Sequence, residues 1–187
     1  MNLYALMIGG SAGSFHTVTG ILKSLPVHTD FPVFLCLHRL KQLSMGFREV
    51  LQANSSLPVV EPEDKTRVCN GIVYLAPANY HMMIENDFRI SLSTDEPIYH
   101  SRPSIDLCIA SAADTYHKNM AGILLSGANR DGTKGFAELK RHNGLCIIQD
   151  PHDCEISTMC TSALTAVKPD KLLNTNQIIE FVSLLKK

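Results

Sequence analysis

Three polar residues follow three apolar runs in this chain. Ser11 follows the run from Leu3 to Ile8, inside Gly9-Gly10-Ser11-Ala12-Gly13. His38 ends the run Phe31–Leu37, and Asp131 follows Met120–Leu125 by way of Ser126-Gly127-Ala128-Asn129-Arg130. These are the residue types of a nucleophilic triad. A serine hydroxyl attacks a carbonyl once an imidazole takes its proton, and a carboxylate on the other ring nitrogen fixes the tautomer and steadies the imidazolium. Each residue also has a plainer reading. Ser11 can cap the helix that follows, or its small-residue turn can admit a phosphate to that helix's N-terminus. His38 can simply cap a buried strand, and Asp131 can be the N-cap of a helix beginning near Thr133. The chain order Ser, His, Asp also differs from the Ser, Asp/Glu, His order of α/β-hydrolases, so the Gly-x-Ser-x-Gly match does not point to that fold.

The elements around these residues give the triad reading its force. Leu3, Leu6, Met7 and Ile8 read as a buried strand, and Phe15, Val18, Ile21, Leu22 and Leu25 fall on one helical stripe. Phe31–Leu37 reads as a second parallel strand buried on both faces, Leu43–Leu51 as a helix, and Leu57–Val60 as a short strand. From Ile72-Val73-Tyr74-Leu75-Ala76 the character of the chain changes. His81–Glu85 and Phe88–Leu92, separated by Asn86-Asp87, carry a hairpin signal. Ser104 is an N-cap for a helix through Ala113, and Met120–Leu125 and Leu145–Gln149 are strands. Helices are expected over Thr133–His142, Cys160–Ala166 and Thr175–Leu185. Strands alternating with helices predict a three-layer, doubly wound α/β fold with a mainly parallel, Rossmann-like sheet and an inserted β-hairpin, as one domain over 1–187. In such sheets sites form outside the carboxyl ends of the strands, and neighbouring strands lie ~4.8 Å apart. Ser11, His38 and Asp131 all fall at such ends, so their side chains can meet.

Composition narrows the partners. The 187 residues carry a formal net charge of −1, with no global basic footprint for nucleic acid or an anionic membrane. No signal-peptide pattern opens the chain and no run approaches the ~20 apolar residues of a membrane span, which predicts a soluble cytoplasmic protein. The six cysteines, at 36, 69, 108, 146, 154 and 160, read as small buried hydrophobes in a reducing compartment. The spacing of Asp150, His152, Cys154 and Cys160 matches no common zinc pattern, so no metal is expected.

Five segments together resemble the catalytic domain of the chemotaxis protein-glutamate methylesterase family, CheB. They are Ile8-Gly9-Gly10-Ser11-Ala12-Gly13, the strand ending Leu37-His38, and Tyr74-Leu75-Ala76-Pro77-Ala78-Asn79-Tyr80-His81-Met82. Ser101-Arg102-Pro103-Ser104-Ile105-Asp106 and Leu124-Leu125-Ser126-Gly127-Ala128-Asn129-Arg130-Asp131-Gly132 complete the set. The resemblance implies Ser11 as nucleophile, His38 as general base and Asp131 as its orienting carboxylate, with no cofactor. It implies hydrolysis of glutamate methyl esters on chemoreceptor cytoplasmic helices, and in many members deamidation of receptor glutamines. The backbone N–H groups of Ala12 and Ala128, beside the triad, are the expected oxyanion donors. The chain departs from the family at Ala128 for a methionine, Asn129 for a glycine, Ser14 for a glycine and Ser101 for a histidine. Arg39-Leu40-Lys41 also stands where a proline-containing segment is common. Family members often carry an N-terminal receiver domain, which this sequence does not contain, so control by a separate receiver-domain partner is one expectation. The departures motivate a rival reading, a catalytically weak adaptor that binds a glutamate-rich or methylated helix. A nucleotide-binding reading of the Gly9–Ser14 turn lacks the Lys-Ser/Thr pair and the acidic ribose ligand it needs.

Overall fold

The computed structural model describes residues 3–39 and 46–185. Its frame is a seven-stranded sheet in the order β3-β4-β2-β1-β7-β8-β9, with every neighbouring pair parallel. The strands are β1 (Ala5–Gly10), β2 (Val33–Leu37), β3 (Val59–Val60), β4 (Val73–Leu75), β7 (Met120–Leu124), β8 (Leu145–Gln149) and β9 (Lys171–Leu173). The continuous apolar runs follow from this burial. Alternate residues of one strand must enter opposite layers. Met7, Phe34, Cys36 and Leu124 pack with α3 (Ile105–Tyr116), α4 (Thr133–Arg141) and α5 (Thr158–Ala166) on one face. Leu6, Ile8, Leu35 and Ile123 pack with α1 (Phe15–Ser24) and α6 (Thr175–Ser183) on the other.

The chain winds outward from β1 in both directions, to β2 on one side and to β7 on the other. This reversal opens a crevice at the carboxyl ends. Register then decides what meets there. Gly10 pairs with Leu37 and Gly9 with Leu124. The ladder runs one step further, His38 N donating to Gly10 O at 3.1 Å and Leu125 N to Gly9 O at 2.9 Å. Ser11, His38 and Ser126 therefore leave the sheet side by side.

The expected β-hairpin is present as β5 (His81–Ile84) paired antiparallel with β6 (Ile90–Ser93). Its turn is longer than the Asn86-Asp87 pair. Phe88 N donates to Glu85 O, Phe88 takes φ 60°, and Glu85 N closes on Arg89 O. This is the geometry of a turn followed by a residue in the left-handed region. The sequence gives no sign of β9, whose three residues are short and mostly exposed at the sheet edge. Of the helix expected over Leu43–Leu51, residues 43–45 lie outside the described residues, and α2 is Phe47–Ala53. Among the described residues no helix is long and apolar enough to cross a membrane. The cysteines are also less uniform than expected: Cys69 is exposed and Cys154 partly so, because both sit on loops.

Candidate active site

Ser11 sits on the first residue after β1, where the chain turns sharply into α1. Ser11 N donates to Ser126 O at 2.9 Å, and Ser11 O accepts from both Ser14 N (3.0 Å) and Ser14 Oγ (2.6 Å). Ser14, not Ser11, occupies the N-cap position of α1. Ser11 thus does no capping. Among the described residues its hydroxyl has no hydrogen-bond partner. It lines a cleft of about 390 Å³ with Ala12, Phe15, Leu37, His38 and Arg39.

Asp131 is fully buried, and the structure explains how a charge is tolerated there. Its Oδ2 accepts from His38 Nε2 at 2.9 Å and from Ile105 N at 2.7 Å. Its Oδ1 accepts from Ser104 Oγ (3.1 Å), Asp106 N (2.9 Å) and Gly132 N (3.0 Å). The carboxylate is thus seated on the N-terminus of α3, where free N–H groups and the helix dipole favour negative charge. Burial pushes its pKa up. The bonds from His38 and from the Asp106 and Ile105 amides outweigh that and hold it below the ordinary carboxylate value. Asp131 does not cap α4, whose N-cap position is Gly132 at φ 94°.

An ionised carboxylate only accepts hydrogen bonds, so His38 Nε2 carries the proton and Nδ1 is the basic nitrogen. Ser101 Oγ lies 3.2 Å from Nδ1. Asn129 reaches Ser101 Oγ through Nδ2 at 3.4 Å and accepts from Asp131 N through Oδ1 at 3.0 Å. Two of the positions that break the family pattern, 101 and 129, therefore form one hydrogen-bonded link around the imidazole.

The outer residues hold this arrangement. His81 is buried: its Nδ1 accepts from Ser104 N at 3.1 Å and its Nε2 bonds Glu96 O at 3.1 Å. This imidazole positions the start of α3 and does not line the Ser11 cleft. Arg102 ties the Tyr74–Met82 and Ser101–Asp106 segments together. Its Nη2 reaches Asn79 Oδ1 at 2.8 Å and its Nη1 reaches Asp95 O at 2.8 Å. Ser126 braces the Ser11 turn, donating through Oγ to Ala12 O at 2.9 Å, while Gln149 Oε1 accepts from Ser126 N at 3.0 Å. Ala12 and Ala128 are both exposed, and among the described residues neither N–H is engaged. No cluster of three or more metal-ligating side chains occurs among the described residues.

Comparison with known proteins gives this constellation a family. The model of the CheB methylesterase family matches residues 6–182. The chain belongs to the CheB methylesterase family. A Leptospira interrogans protein with the provisional name protein-glutamate methylesterase/protein-glutamine glutaminase is 36% identical over 180 residues, covering 96% of this chain and 93% of its own. Proteins of that name from Clostridium acetobutylicum and Archaeoglobus fulgidus are 27% and 32% identical. The match covers 96% and 88% of this chain but only 52% and 49% of theirs. The crystal structure of the Thermotoga maritima CheB methylesterase catalytic domain superposes with a TM-score of 0.90, at 27% identity and 98% coverage of both chains.

Within the CheB methylesterase fold, Arg39, a departure from the family pattern, is held on three sides. Its Nη2 pairs with Glu61 Oε1 at 2.7 Å and donates to Ala76 O at 3.2 Å, and its guanidinium lies 5.2 Å from the Phe47 ring centroid. It walls the cleft beside His38. Leu40 and Lys41, the rest of that departure, lie outside the described residues.

Proposed function

We propose that this chain is a protein-glutamate methylesterase that hydrolyses glutamate methyl esters, and deamidates glutamines, on chemoreceptor cytoplasmic helices. One observation carries the reading. His38 lines the same cleft as Ser11, its Nε2 is held by an ionised, buried carboxylate, and its Nδ1 is left to a single neutral partner, Ser101 Oγ. In the proposed mechanism Nδ1 takes the Ser11 proton as Oγ attacks the side-chain carbonyl. The oxyanion is received by the Ala12 and Ala128 N–H groups, and Asp131 steadies the imidazolium. Nδ1–H then returns the proton to the departing methanol or ammonia. Water, deprotonated by the same nitrogen, hydrolyses the acyl-Ser11 ester to glutamate. No step calls on a cofactor.

The test is methanol release from methylated chemoreceptor cytoplasmic fragments, comparing the protein with Ser11→Ala. Release that disappears in Ser11→Ala, with the melting temperature unchanged, is the expected result. Equal release from both proteins removes Ser11 as nucleophile. No release by a well-folded protein, together with retained binding to the fragments, points instead to the adaptor reading.

A further inference from the structure

The segment after β8 carries two thiols that the ester chemistry does not use. Cys154 Sγ lies 3.5 Å from Cys160 Sγ, across the short loop that enters α5. All six cysteines are free thiols, but their settings differ. Cys36 and Cys108 also meet, with both side chains sealed in the core. Cys69 is exposed, and among the described residues it has no second sulfur within reach. Only the 154/160 pair sets a partly exposed sulfur against a buried one.

The geometry suits closure. Cys154 is anchored by its N–H on Asp150 O at 3.2 Å, and Cys160 stands in the first turn of α5 with its thiol toward Leu124 O. A disulfide needs its sulfurs ~2.05 Å apart, so the two must approach by about 1.5 Å. The chemistry is asymmetric in the useful sense. The bond with Cys160 draws the Cys154 pKa below the ordinary value, against the opposing effects of burial and of Asp153 and Asp150. The same bond, together with burial, keeps Cys160 protonated. An accessible thiolate next to a second thiol is the arrangement of redox-sensing cysteines.

We propose that Cys154 and Cys160 form an oxidation site for hydroperoxides that closes to an intramolecular disulfide. The Cys154 thiolate attacks the terminal peroxide oxygen. The O–O bond breaks, the alcohol (water, for hydrogen peroxide) leaves after taking a proton, and Cys154 becomes a sulfenic acid. The Cys160 sulfur then displaces hydroxide from the sulfenic sulfur, its proton leaves with the hydroxide as water, and the S–S bond forms. Two thiols have given two electrons to one peroxide.

The loop between the two cysteines is joined to the Ser11 turn. Ile156 O accepts from Gly127 N at 3.0 Å and lies 3.0 Å from Ser126 Oγ, and Ile156 N donates to Ser126 Oγ at 2.9 Å. Glu155 packs so closely on Gly13 that an added Cβ there would stand 2.7 Å from Glu155 Cβ. Drawing Cys154 toward α5 therefore pulls on the residues that hold Ser11 N and Ala12 O.

The test does not depend on the ester reading. The protein is treated with hydrogen peroxide, alkylated and mapped by peptide mass spectrometry. A 154–160 disulfide is expected in the wild type, reversed by dithiothreitol. Cys160→Ser is expected to accumulate a dimedone-reactive sulfenic acid at Cys154, with Cys160→Ala as the alternative if the serine variant melts early. Cys154→Ser is expected to leave Cys160 unreacted. Oxidation of Cys69 while Cys154 and Cys160 remain fully alkylatable overturns the proposal, as does a sulfinic acid at Cys154 with Cys160 still free. Hydrogen exchange at the Ser11 and Gly127 amides is expected to be several-fold faster in the disulfide form. Identical exchange in both forms overturns the link to the turn.

Discussion

His38 has one basic nitrogen and two hydroxyls that can claim it. Ser101 Oγ holds Nδ1 at 3.2 Å, so under the proposed mechanism the Ser11 hydroxyl must displace that bond before it can attack. A neutral hydrogen bond of this kind is worth about 0.5–1.5 kcal/mol net, so Ser101→Ala is expected to raise kcat/KM about 2- to 10-fold. Steady-state ester hydrolysis checks this, and a large fall in rate would instead make Ser101 a required part of the site. Asp131→Asn has the opposite sign. The amide can present an N–H to His38, which favours the wrong tautomer, and a kcat drop on the order of 10⁴ is expected from the same exchange in other triads. The variant's circular dichroism must match wild type for that rate to be interpreted. Ser11, His38 and Asp131 were legible because each is a polar residue just past an apolar run. Ser101 was visible only as a break in a family pattern. Its role depends on the path of the chain between β6 and α3, which carries no periodic signal.

At the scale of elements, β8 braces the Ser11 turn through Ser126. Gln149, the last residue of β8, accepts from Ser126 N through Oε1 and donates through Nε2 to Asp153 Oδ2 at 2.9 Å. Gln149→Leu leaves the buried Ser126 N–H without an acceptor, a loss of about 1–3 kcal/mol. Urea denaturation is expected to show that loss, and ester hydrolysis is expected to slow with it, because Ser126 carries the bonds to Ser11 N and Ala12 O. A variant destabilised by that amount yet fully active would show the brace to be structural alone. The helix that seats Asp131 was legible in part. Ser104 reads as an N-cap and does accept from Leu107 N, but the same hydroxyl also donates to Asp131 Oδ1. A sequence pattern identifies a helix start and cannot tell which carboxylate from a distant loop will be placed on it. The β9 edge strand was missed for a related reason: three residues with two exposed leave no alternation to read.

At the scale of the molecule, the carboxylate that serves the site also makes stability depend on pH. Asp131, Asp153 and Asp170 all have pKa values held below the ordinary carboxylate value, while Asp106 is raised by burial, against the bond from Gly135 N. A depressed group contributes stability that is fully present above its unfolded pKa, about 3.9, and is lost as pH falls through its lower folded value. The raised Asp106 acts in the other direction, since the folded chain keeps that proton to higher pH and loses stability as pH rises through its folded value. Asp153 and Asp170 lie near solvent, which screens their contribution. Asp131, fully buried with five hydrogen bonds on two oxygens, therefore dominates the acid limb. Urea midpoints measured between neutral pH and about pH 3 are expected to fall steeply only below the ordinary carboxylate value of about 4. Asp131→Asn is expected to be less stable at neutral pH and to show a shallower fall on acidification, because it has no carboxylate to protonate at that site. An acid limb of equal slope in both proteins would mean that other carboxylates set it, and that the charge of Asp131 in the folded protein is not what the α3 N-terminus stabilises.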